Sequence, residues 1–159
     1  MSSKSKIETL ITRYNLSPHP EGGYYKETYR SGAMVTSPIN QEARSCLTQI
    51  YFLLTKGDVS RFHKVLHDEI WHYHEGDPLR LLDGDKDGCR EIILGPETGD
   101  YHHVIKGGNY QAAESTGEYT LVGCTVAPGF DFADFSFLKE DLKDEEGLYT
   151  WLDDHKKFI

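Results

Sequence analysis

Short strand-like runs follow one another along this chain at 24–30, 46–54, 61–65, 70–74, 79–82, 91–94, 101–105, 110–113 and 119–126. Turn-forming residues separate them, and strands at this regular spacing close into a sandwich or barrel rather than an open sheet. A barrel needs a core. At 159 residues the chain is long enough for one domain, and a domain of that size buries roughly 70% of the surface its unfolded chain exposes. A single all-β domain over residues 1–159 is predicted.

The flanks read differently. Ile7, Leu10, Ile11 and Tyr14 recur at the helical period and form one apolar stripe, which predicts a short N-terminal helix ending before Ser17 and Pro18 and capping the barrel. Residues 31–41 carry Gly32, Ser37, Pro38 and Asn40 without periodicity and read as a mobile surface loop, a candidate lid. The tail 138–159 is charged and helix-compatible. Its Leu142, Leu148, Trp151, Leu152 and Phe158 are available to pack back on the sheet, and its acidic run 141–146 reads as a solvated face.

Charge narrows the partners. The net charge is −9, from 26 acidic against 17 basic residues, so clustered Lys and Arg for nucleic acid or an anionic membrane are missing. A small-molecule ligand and a second copy of the chain are the expected partners. Cys46, Cys89 and Cys124 are odd in number and form no C-x-x-C pair, which argues against a disulfide framework or zinc knuckle. The first ten residues carry no apolar core of a signal peptide and no run approaches a membrane span. A soluble, cytoplasmic protein is the expectation. Nucleophile elbows, P-loops and dinucleotide fingerprints are also missing from the sequence.

The chemistry-bearing residues lie at fixed spacings. Gly57, five residues, His63, one residue, Val65, three residues, Glu69, six residues and Gly76 make one frame. Gly108 followed three residues later by Gln111 makes a second. If Glu69 faces the barrel interior, Trp71 and Tyr73 do so too, and His72 and His74 point to the other face. A bulge near Gly76 would return His74 to the mouth. His102 and His103 are adjacent and fall on opposite faces. Asp83-Gly84-Asp85-Lys86-Asp87-Gly88 spells the start of a calcium loop, but Leu94 stands at its twelfth position, so a polar hairpin turn is the simpler reading.

The first frame has the spacing of the first cupin motif, G(X)5HXH(X)3,4E(X)6G, with Val65 in place of the second histidine. The second matches G(X)2H with Gln111 in place of histidine. Together with the phrases HPEGGYYKETYRS, SRFHKVLHDEIWHYHEGDPL, GGNYQAAE and GCTVAPGFDFADF, they make the chain resemble a small-cupin family catalogued largely as a domain of unknown function. The resemblance implies a cupin jelly-roll barrel similar to the dTDP-sugar epimerase fold, commonly dimeric. It implies pocket-lining roles for Phe62, His63, Glu69 and Gln111, with Asp131 near a barrel end. Tyr73 and His74 complete the expected ligand-binding set. The leading expectation is a pocket for a small polar metabolite with metal-independent, epimerase-like proton transfer, His63 acting as base and Glu69 as its orienter. The alternatives are a metal-dependent enzyme in which His63, Glu69 and Gln111 hold a divalent metal, and a non-catalytic binding or sensor protein. On the plainest reading of all, His63 and Glu69 only hydrogen-bond inside the barrel. Whether the protein is an enzyme stays open at this point.

Overall fold

The computed structural model describes residues 2–143 and 149–159, so Leu148 and the acidic residues at 144–146 of the expected tail lie outside the described residues. In chain order the structure holds α1 (Ser3–Tyr14), β1 (Ser17–Pro18), β2 (Tyr24–Arg30), β3 (Met34–Thr36), β4 (Ala43–Ser45), β5 (Thr48–Thr55) and β6 (Ser60–Lys64). It continues with β7 (Asp68–Gly76), β8 (Leu79–Asp85), β9 (Gly88–Leu94), β10 (His102–Ile105), β11 (Tyr110–Ser115), β12 (Tyr119–Ala127), β13 (Ser136–Phe137) and α2 (Leu138–Asp141). A 3-10 turn at Phe132–Asp134 precedes β13, and a second 3-10 segment, Leu152–Phe158, closes the chain.

Two antiparallel sheets face each other. One has the order β1-β2-β5-β12-β7-β10 and the other β13-β6-β11-β8-β9. This is the jelly roll that the resemblance implies, and its non-consecutive neighbours are the reason no local pattern could give the strand order. Phe52, Leu54, Trp71, Leu79, Leu81, Leu94 and Val122 fill the space between the sheets. Period-two alternation sends the intervening residues outward, and two further apolar clusters cover them.

α1 is one of those covers. Ser2 caps its first turn, its Oγ accepting from Ser5 N at 3.2 Å, and Asn15 ends it in the left-handed conformation at φ 51°. Its stripe packs with Leu53, Tyr119 and Leu121, on the outer face of the six-stranded sheet. The helix therefore lies against the side of the barrel and does not cap its opening. On the other sheet, Trp151 and Phe158 of the tail pack over Phe62, Leu82 and Tyr110, as the apolar content of the tail predicts.

Residues 31–41 are more ordered than their composition suggests. Met34–Thr36 pairs with Ala43–Ser45 in a two-stranded hairpin, too short and too exposed to leave an alternating pattern. Ser37, at its turn, is fully buried.

Candidate functional site

Alternation along β6 decides the first element of the site. His63 points between the sheets while its neighbour Phe62 points out, beneath Trp151 and Phe158. His63 lies opposite Gln111 of β11, and Glu69 enters from β7 in the facing sheet. All three are buried.

The carboxylate that holds His63 comes from elsewhere. The loop between β1 and β2 passes so close to the β5–β6 turn that a Cβ at Gly22 would collide with the Val59 carbonyl oxygen, and Gly22 has φ +107°. Arg61 N–H donates to the Glu21 carbonyl at 3.1 Å, and Glu21 N–H donates to His19 Nδ1 at 3.1 Å. This backbone path sets Glu21 Oε2 2.9 Å from His63 Nε2. His63 Nδ1 is 2.7 Å from the Arg61 carbonyl oxygen, which can only accept. Both ring nitrogens therefore donate, and the ring is an imidazolium. Phe135 stacks on it with centroids 5.2 Å apart.

Electrostatics agree with that assignment. Burial by itself lowers the His63 pKa, but the charge and hydrogen bond of Glu21, with help from Glu69 and the Arg61 carbonyl, outweigh it and raise the value. Glu21 is buried, which favours its neutral form, yet the charge and hydrogen bond of His63 hold its pKa below the ordinary carboxylate value. His19 is driven the other way, chiefly by burial, and its Nδ1 accepts the Glu21 N–H, so it is neutral.

Glu69 is the second carboxyl of the site and its state differs. Burial pushes it up to about 7, with the charge of Glu21 adding to the effect against the pull of His63, Gln111 and Cys124. Gln111 Nε2 donates to Glu69 Oε1 at 3.0 Å. The amide is oriented by Trp71, whose Nε1–H donates to Gln111 Oε1 at 2.5 Å. Cys124 completes the surroundings, its thiol raised well above its ordinary range by burial and by Glu69.

His19, Glu21, His63, Glu69 and Cys124 form the floor of a cavity of about 490 Å³, within the usual size of small-molecule sites. Ile50, Val65 and Val126 make apolar walls, and Phe130, Phe132 and Phe135 line one side. The mouth carries Lys26, Glu27, Arg30 and Asp131, with Arg30 gripping Glu27 through two bonds of 2.8 and 2.9 Å.

Several expected site residues lie elsewhere. Phe62 is on the outer face of its sheet, for the parity reason given above. Tyr73 faces inward as expected but packs against the core between the sheets, and its hydroxyl donates to the Gly76 carbonyl at 2.5 Å. His74 is exposed on the opposite face beside Tyr51. The register does shift between β12 and β7, where Leu121 and Val122 face Glu75 and Tyr73, but the shift does not bring His74 to the cavity. Gln111 stands behind Glu69 and does not line the cavity wall. Asp131 does line the mouth, where its Oδ1 accepts from Ala133 N at 2.9 Å. Against expectation, the hydrogen-bonded carboxylate of His63 is Glu21, with Glu69 held by Gln111 instead. Sequence reasoning missed Glu21 and His19, reading their segment as a turn, and missed Cys124 and the Phe130–Phe135 side as cavity walls.

Away from the floor, Ser37 Oγ lies 2.7 Å from His67 Nε2, and His67 Nδ1 lies 3.7 Å from Asp134 Oδ2. The order of groups is that of a nucleophile triad, but Ser37 is fully buried and accepts N–H bonds from Ile39 and Asn40. Arg44 holds Asp134 at 2.7 and 2.8 Å. The cluster pins the β3–β4 hairpin to the 3-10 turn that carries Phe132. In the same way Asp83 is a buried hub, receiving Asn109 at 3.0 Å, Arg90 at 3.2 Å and His103 at 3.0 Å, and the segment after it is a hairpin turn between β8 and β9.

Residues 8–138 match the family described as Cupin superfamily (DUF985). The chain belongs to the cupin superfamily. An uncharacterised protein of Saccharomyces cerevisiae is 31% identical to this cupin over 153 residues, spanning 85% of this chain and 76% of its own. A solved hypothetical protein from Leishmania major is 34% identical with a TM-score of 0.77, covering 89% of this chain and 94% of its own. A solved protein from Shewanella oneidensis is 31% identical with a TM-score of 0.75, covering 86% of this chain and 87% of its own. Oxalate decarboxylase of Bacillus subtilis, at 16% identity and a TM-score of 0.58, shares the fold alone, over 81% of this chain and 32% of its own.

The floor of this cupin does not fit a divalent metal. Val65 offers no donor, the Gln111 oxygen is taken by Trp71, and both nitrogens of His63 already donate. Among the described residues no three His, Cys, Asp or Glu side chains are grouped to hold an ion. Among them, too, no helix is long and apolar enough to cross a membrane.

Proposed function

We propose that this cupin binds a small polar metabolite in the barrel cavity and moves a proton on it without a metal, with Glu69 as the proton-carrying group. The observation that carries the reading is a buried carboxyl raised to about 7 on the cavity floor beside a fixed imidazolium–carboxylate pair. A group of that pKa is present in both forms near neutrality and can both take and return a proton. Glu69 accepts a proton from carbon next to a carbonyl, negative charge gathers on the carbonyl oxygen, and the positive field of His63 stabilises it. Glu69 then returns the proton to carbon. His63 lacks the free lone pair of a base, so the base role that the sequence suggested for it passes to Glu69. A homodimer is part of the same reading, supported by the exposed apolar side chains of Tyr29, Met34, Val35 and Ile39. Sedimentation at the 18.1 kDa of one chain would remove it.

The test is deuterium wash-in. Small hydroxy- and keto-metabolites are incubated with the protein in heavy water, and incorporation next to the carbonyl is read by mass spectrometry. Exchange that is lost in Glu69→Gln is the expected result. Tight binding of a metabolite with no exchange would make the cavity a binding or sensing site instead.

A further inference from the structure

The cavity floor carries one inference beyond the proposed reaction, and it rests on that reading of a metal-free floor. We propose that Glu21 is the residue that closes this barrel to divalent metals, and that the His63 imidazolium it holds supplies the positive charge a metal would bring.

The geometry of His63 is that of a metal ligand with its metal side already filled. A ligating histidine usually donates one ring N–H to a carbonyl, which fixes the tautomer and leaves the other nitrogen for the ion. His63 has that carbonyl, from Arg61, 2.7 Å from Nδ1. Nε2 is the nitrogen left over, and Glu21 Oε2 sits 2.9 Å from it. To bind an ion, Nε2 would have to lose its proton and Glu21 would have to withdraw. The loop opposes withdrawal, since Glu21 is tied through its own N–H to His19 and through its carbonyl to Arg61 N–H, and Gly22 wedges it against Val59.

Two other changes act in the same direction but do not suffice. Val65 and Gln111 remove the donors of two positions of the cupin metal set, and Gln111 presents an N–H toward Glu69. Restoring histidine at both positions returns the missing donors without freeing Nε2. The exclusion is therefore assigned to a loop residue outside both motif frames.

The experiment uses zinc and cobalt(II) alone as probes, on the full chain. Metal retained after dialysis is measured by elemental analysis, and cobalt by its visible absorption, in the wild type, in Val65→His/Gln111→His, and in that pair combined with Glu21→Gln. The expected result is no stoichiometric metal in the first two and close to one ion per chain in the third. Equal affinity in the double and triple variants overturns the proposal. So does wild-type protein that retains one zinc per chain and loses it in His63→Ala. Should the histidine variants fail to fold, the ring resonances of His63 decide in the single variant Glu21→Gln. A ring that stays an imidazolium to higher pH than an ordinary histidine in the wild type, and loses its proton at lower pH in Glu21→Gln, is expected, and an unchanged titration of the ring refutes. Metal results as expected together with no deuterium wash-in would sink the proton-transfer reading and leave this one standing.

Discussion

Replacing Glu69 by glutamine tests the state of the cavity floor without any ligand. The folded protein holds the Glu69 carboxyl at about 7 against an ordinary value of 4.5. Because the folded value is the higher one, the native state binds the extra proton. The stability tied to it is complete below pH 4.5, drains as the pH climbs toward 7, and then levels off. At roughly 1.36 kcal/mol per pH unit, the loss amounts to about 3 kcal/mol across the whole window and roughly 2–3 kcal/mol between pH 5 and pH 8. Glu69→Gln has no proton to lose. It keeps an oxygen for the Gln111 N–H, and whatever the amide forfeits beside Cys124 is the same at both pH values. Urea unfolding of wild type and variant, followed by tryptophan fluorescence at pH 5 and pH 8, isolates the difference. Relative to wild type, the variant should gain about 2–3 kcal/mol on going to pH 8. A difference that does not change with pH, or one that moves against the variant, would show that the carboxylate is comfortable ionised and would remove the basis for its role as proton carrier.

Other perturbations address the supports of the site. Trp71→Phe keeps an aromatic ring but deprives the buried Gln111 oxygen of the indole N–H, so urea unfolding should show a loss of about 1–3 kcal/mol. Gly84→Ala puts a Cβ about 2.6 Å from Trp151 Cζ2. Overpacking of that kind should cost about 1–3 kcal/mol, with a matching change in Trp151 emission. Ser37→Ala strips the partner from His67 Nε2 and should cost about 1–3 kcal/mol. Limited proteolysis between β3 and β4 should then accelerate, and an unchanged cleavage rate would mean the hairpin is held by other bonds.

The sequence by itself determined the barrel and one side of its floor. Strand alternation is local, so the inward set of Glu69, Trp71 and Tyr73 and the outward His72 and His74 could be read from parity on β7 alone, and the frame from Gly57 to Gly76 follows from fixed turns. Gly76 illustrates this, with φ +96° and no room for a Cβ beside the Tyr119 carbonyl. The same parity contained the correction for Phe62, since two adjacent residues of a strand cannot both face the cavity.

Tertiary structure decided the rest because the deciding neighbours are far apart along the chain. Glu21 lies in the loop between β1 and β2 and His63 on β6, and they meet only where Gly22 lets one backbone pass against Val59. The amide of Gln111 reads in sequence as a weak metal donor, yet its oxygen faces an indole and its nitrogen a carboxyl. Protonation followed from those contacts. A carboxylate hydrogen-bonded to an imidazolium ionises readily, while one packed among Trp71, Gln111 and Cys124 holds its proton up to about pH 7, because burial penalises charge wherever no partner compensates it. Residue type and spacing are silent on which of two glutamates meets which fate.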